Sequence, residues 1–172
     1  MRTIISFCLF FTFTLIAAAQ APDSAWRAAR DKELAAVIPD RAPVEKERIE
    51  TDAQTIAGVT DGKGRFIAGV VLITAGYAAH GKYSHYLIVQ APLRIGDATL
   101  PVGDYVFGYR RADDETLELT FYQAATGKAL GTAKAKRGST TGPIRSLTIT
   151  PPNAGRSVLQ IGRFACPYTL EK

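Results

Sequence analysis

"IAGVTDGKGRFIAGVVLITA", residues 56–75, holds two apolar runs joined by the polar link TDGKGR at 60–65. Gly62 and Gly64 permit the positive backbone angles of a tight hairpin between two strands. Two strands joined by so short a link must be antiparallel, because a parallel pair needs a long crossover. The glycines and the lysine of this link lack phosphate-loop spacing, and no helix follows them. The link is a hairpin turn.

The same grammar continues on both sides. RADDET and AATGKA are further turns of this kind, and strands are predicted near 48–59, 65–76, 84–93, 103–111, 116–124, 129–136, 144–150 and 157–165. About eight short antiparallel strands at this spacing predict an all-β domain over 48–172, an antiparallel β-sandwich with a closed β-barrel as the alternative. RFIAGVVLITA and HYLIVQA are apolar on both faces, so these strands should be central and covered on both sides. TLELTFYQA alternates instead, setting Leu117, Leu119 and Phe121 against Glu118, Thr120 and Tyr122, and RSLTITP sets Leu147 and Ile149 against Ser146, Thr148 and Thr150. Each of these should have one wet face. TITPPNAGRS is a loop, since adjacent prolines suit neither a central strand nor a helix.

Residues 20–47 read differently, being rich in alanine and charge. Ser24 can cap a helix running to about Val37, with Trp26, Leu34 and Val37 near one face. Pro39 stops it, Pro39–Pro43 reads as a turn, and the charged stretch that follows could form another helical turn. This piece is a helical N-terminal arm, docked through Trp26 or trailing as a tether. Residues 1–19 begin with one basic residue, Arg2, continue with an apolar run to Ile16 and end in small residues. That is the plan of a secretory signal peptide, too short for a confident membrane span, with cleavage before Gln20; an uncleaved anchor is the alternative. The expected location is therefore secreted or periplasmic, with no transmembrane segment in the mature chain. Cys8 leaves with the signal, so Cys166 has no internal partner, and the fold must rest on apolar burial. Cys166 itself suits a small buried position, with pairing between chains as the alternative.

The formal net charge of +5 is spread along the chain. Lys134, Lys136 and Arg137 form one small cluster, which reads as the solvated edge of a strand. Nucleic-acid binding needs many phosphate contacts interleaved with aromatics, and neither pattern occurs.

IGDATLPVGDYVFGYR, residues 95–110, is a turn feeding a strand on which Tyr105, Phe107 and Tyr109 share one face, with Val106 and Gly108 on the other. Pro101 and Gly103 shape the turn, and Gly108 leaves room for a bulky neighbour or a ligand. The aromatic face is either core or a ligand platform. Its LPVGDY resembles the L-P-x-G-x-Y signature of secreted bacterial β-sandwich domains, including a family of unknown function. The resemblance implies a β-sandwich and export, and no site residues.

No enzymatic constellation emerges. His80 and His85 are an odd number of residues apart near a strand start, which points them to opposite faces and suits no shared metal. No G-x-S-x-G elbow occurs, Asp113 and Asp114 are turn formers, and a pairing of Cys166 with a histidine has only the presence of both residue types behind it. No motif calls for a cofactor or a metal. Three readings follow. The first is an exported, non-catalytic binding protein for a small ligand, glycan or envelope partner, with Tyr105, Tyr109, Tyr122 and His85 as candidate ligand-binding residues. The second is a structural subunit pairing through an edge strand or its N-terminal arm. The third is a hydrolase-type enzyme using His85.

Overall fold

A computed structural model describes residues 26–139, 142–152 and 157–171. The expected signal peptide, its cleavage site, Cys8 and the Ser24 cap lie outside the described residues. In chain order the elements are β1 (Arg27–Ala28), α1 (Asp31–Ala35), β2 (Arg41–Val44), β3 (Glu47–Thr60), β4 (Phe66–Leu72), β5 (His85–Val89), β6 (Leu93–Ile95), β7 (Ala98–Leu100), β8 (Gly103–Asp113), β9 (Thr116–Gln123), β10 (Ala129–Arg137), β11 (Thr148–Ile149), β12 (Val158–Ile161) and β13 (Phe164–Leu170).

All strand pairs are antiparallel. The sheet runs β1-β3-β4-β5-β8-β9-β10-β13-β12-β11, with β2 on the outer half of β3 and the β6–β7 hairpin on β13. It curls until β11 lies against β3 and β4, nearly closing a barrel, but no strand pairing joins β11 to β3 among the described residues. The all-β class holds, in a form between sandwich and barrel.

The hairpin at 60–65 forms as its glycines require, with Gly62 at φ 71° and Gly64 at φ 101°. Asp61 anchors it, accepting from the Lys63 N–H (2.8 Å), the Arg65 N–H (3.1 Å) and Arg65 Nε (2.7 Å). Burial works against its charge, but these bonds together hold its carboxyl below the ordinary carboxylate range.

Alternation along β4, β5 and β8 divides the apolar residues between two cores. Ile67, Leu87, Val89, Phe107 and, from β9, Leu119 and Phe121 point into the curl, where they meet Leu159 and Cys166. Ala68, Val70, Tyr86, Ile88 and Val106 point outward and are covered by Leu34, Ile38, Val44, Ile49 and Tyr83. The two doubly apolar strands are thus covered on both sides. β3 serves both cores because its pairing with β4 is interrupted between Asp52 and Ala57, so that Ile49 lies in the outer core and Val59 in the inner one.

The N-terminal piece departs from the helical expectation. Arg27 and Ala28 pair with Thr60 and Val59 as a strand, and only Asp31–Ala35 is helical. Here tertiary pairing outweighs helix propensity. Glu33 then fastens the start of the helix, accepting from the Arg30 N–H (2.8 Å) and from the Arg27 and Arg30 guanidinium groups. Trp26 is buried in the inner core with the Arg65 guanidinium 5.8 Å from its ring, so the segment is docked. Arg41–Val44, read from sequence as part of a turn, is an outer strand, and its position at the rim of the sheet tolerates Pro43. Glu45 takes φ 52° at the turn into β3 where a helical turn was expected. Tyr83 Oη donates to its carboxylate, and Lys82 Nζ lies 3.3 Å from it. The strand expected at 84–93 ends at Val89 and a separate hairpin, β6–β7, follows; the one expected at 157–165 is two strands turning at Gly162 and Arg163.

Candidate functional site

The two ends of the curl differ. At the end where β8 begins, the LPVGDY turn closes on itself, Tyr105 Oη donating 2.7 Å to the Pro101 carbonyl, and the β6–β7 hairpin buries Leu93, Ile95, Ala98 and Leu100. At the other end the core comes to the surface.

This open end is built from the first residues of β5, β9 and β13, the last of β10 and β12, the middle of β8, and the segment Ile144–Leu147. It holds a pocket of about 430 Å³ floored by Leu117, Ile161 and Phe164 and flanked by Tyr109 and Ile144. Tyr109 is 46 % and Ile144 60 % exposed, which makes them two of the few large apolar side chains in solvent. Arg111, Arg137 and Arg163 line the same pocket, and among the described residues no carboxylate does. Arg111 lies 3.1 Å from Asp114 and packs 5.8 Å from the Phe164 ring, and Arg137 is 3.8 Å from Glu115. Arg163 and, beside the pocket, Arg145 have no carboxylate within ion-pair distance among the described residues.

A second hollow of about 380 Å³ shares Tyr109, Ile144, Ile161 and Gly162 with the first and reaches Ser84 and His85. His85 stacks flat on Phe107, with ring centroids 4.6 Å apart and planes 4° from parallel, and its ring lies 6.1 Å from that of Tyr109. Ser84 Oγ is 2.9 Å from Nδ1, while Nε2 is buried with no hydrogen bond of full geometry among the described residues; the Ser146 backbone is the other polar group that acts on the ring. Burial pushes His85 down to about 4, only slightly offset by the Ser146 backbone, so the ring is neutral near pH 7. Among the described residues the polar groups at His85 are the Ser84 hydroxyl and the Ser146 backbone, not the carboxylate that would orient a catalytic histidine. Burial likewise pushes the Cys166 thiol up to about 11, which leaves it protonated and a poor nucleophile. Among the described residues no group of three or more His, Cys, Asp or Glu side chains is placed to hold a metal.

Of the residues singled out from sequence, Tyr109 and His85 come together at the open end. Tyr105 sits at the closed end with its hydroxyl committed. Tyr122 lies on the outside of the sheet, edge-on to Tyr83 at 5.2 Å and below Lys82. The space left by Gly108 is occupied by the Lys82 carbonyl, which any side chain there would strike. Sequence reasoning missed Arg111, Arg137, Arg145, Arg163, Ile144 and Phe164 as a group. They come from separate strand ends, a turn and the segment before β11, and Arg137 reads locally as part of a solvated edge.

No family model matches the chain, and no curated protein or solved structure matches it.

Proposed function

We propose that the protein is an exported, non-catalytic binding module that takes a small, largely apolar ligand at the open end of the curled sheet. The observation that carries this reading is the pocket of about 430 Å³, floored by core residues and flanked by exposed Tyr109 and Ile144. Its size lies within the roughly 300–1,000 Å³ of small-molecule sites, and an apolar floor with a few polar groups at the rim is their usual composition. Export is supported by the charged start, apolar run and small residues of positions 1–19. No helix among the described residues is long and apolar enough to cross a membrane.

Binding is tested with the neutral fluorophore N-phenyl-1-naphthylamine, which brightens in apolar surroundings. The protein should enhance its emission saturably, and Ile144→Asp should abolish the enhancement while leaving the thermal melt in place. Equal enhancement by that variant would place the probe elsewhere and remove the basis of the reading. Export is tested by N-terminal sequencing of the protein from the culture medium or periplasm, with Gln20 expected first. An intact Met1 in a cytoplasmic pool would overturn it.

A further inference from the structure

The charge around the pocket narrows the chemistry of its occupant. Three arginines and, among the described residues, no carboxylate line a cavity whose floor is hydrocarbon. The Arg111 side chain is 57 % exposed and its partner Asp114 90 %, and Arg137 with Glu115 is 41 % and 70 % exposed. Ion pairs this exposed contribute little and exchange readily for another anion. Arg163 has no such pair to give up among the described residues. Each guanidinium offers a planar fork of donors matched to a carboxylate or phosphate, and it is weakly hydrated enough to work beside an apolar floor.

Resting on the reading of this end as a binding site, we propose that its ligand is a free anionic amphiphile. A carboxylate or phosphate head would be held by Arg163 with Arg111 and Arg137, and a short acyl or aryl body would lie on Leu117, Ile161 and Phe164. The cavity of about 430 Å³ has room for one short chain or ring system. The anion gains charge-assisted hydrogen bonds from the guanidinium groups, and the body takes the place of water over half-buried Phe164 and exposed Tyr109 and Ile144. A neutral amphiphile of equal length gains only the second of these.

The test compares decanoate with decanol by displacement of N-phenyl-1-naphthylamine from the full protein, at low and at high salt. Decanoate should displace the probe at least roughly tenfold more effectively at low salt, the margin expected of a hydrogen bond to a charged group, and the advantage should shrink as salt rises. Arg163→Gln should remove most of that preference without changing decanol; Arg111→Gln provides the same measurement should the first variant fold poorly. Equal displacement by the two amphiphiles would overturn the anion assignment and leave the pocket standing. Failure of the probe itself to bind would remove both. Flotation with phosphatidylglycerol vesicles, with decanoate inert, would make the occupant a membrane headgroup and overturn the assignment to a free amphiphile; no flotation is expected.

Discussion

The closed and open ends of the curled sheet are made from the same strands, yet they treat polar groups in opposite ways. At the closed end Tyr105 bonds to Pro101, Ser157 Oγ donates to the Tyr168 carbonyl, and Tyr168 Oη donates to Thr150 at 2.6 Å. At the open end His85 keeps a buried nitrogen with no side-chain hydrogen-bond partner among the described residues, and Tyr109 and Ile144 stand in solvent. Buried polar atoms are normally paired, and apolar side chains normally avoid water. Val102 in the turn at the closed end is exposed too. At the open end, however, exposed apolar side chains and a buried ring nitrogen without a side-chain partner stand beside a cavity, which separates the part of the molecule that stabilises from the part available for binding. Stability should therefore be insensitive to changes at the open rim and sensitive everywhere behind it.

Phe107 tests the boundary between the two. It is fully buried, pairs with Phe121 at a centroid distance of 5.2 Å and supports the His85 ring. Phe107→Ala should cost roughly 3–5 kcal/mol in urea melts. A near-neutral result would mean that the open end extends far deeper than the packing indicates.

The next effect depends on pH. His85 titrates at about 4 in the folded protein against an ordinary value of 6.5. Near pH 7 both states are neutral and the residue contributes no pH dependence. Below about 6.5 the unfolded chain takes up the proton first, so stability falls until the folded protein also protonates near 4, and the loss then levels off. The full loss is about 3 kcal/mol. Other groups titrate in this range, so the measurement is the difference between the protein and His85→Phe across pH 7 to 4. Parallel pH profiles would show that His85 is far wetter than its burial implies.

The sharpest form of the comparison applies one substitution at each end. Tyr105→Phe removes a buried bond and should cost about 0.5–1.5 kcal/mol. Tyr109→Phe alters a half-exposed ring and should change stability by less than about 0.5 kcal/mol. Equal costs would erase the distinction between the ends.

The long strands were legible because their apolar periods are clear and glycine turns separate them. β3, β4, β5, β8, β9 and β10 lie close to where alternation places them, and the double coverage of β4 and β5 follows from their runs of apolar residues. The short elements were not legible. β6 and β7 are three residues each, too brief to carry a period, and β1 exists only because Arg27 and Ala28 meet the end of β3. Pro43 disguised β2, and the two-residue turn at Gly162 and Arg163 hid the division of the last hairpin. At the candidate site, Tyr109 and His85 stood out as single residues. The arginine group could not, since each member is ordinary within its own segment and becomes notable only once the sheet has curled.

The seam between β11 and β3 bears on how the molecule yields to strain. Elsewhere around the circumference, widening the curl means stretching main-chain hydrogen bonds. At this seam, where β11 lies against β3 and β4, the described residues resist it through side-chain contact, as where Leu147, just before β11, lies over Gly69 of β4. Dispersion contacts of this sort weaken steeply with small separations. The girth of the molecule is thus most compliant along one line, and that line runs to the segment bearing Ile144 and Arg145 at the open end.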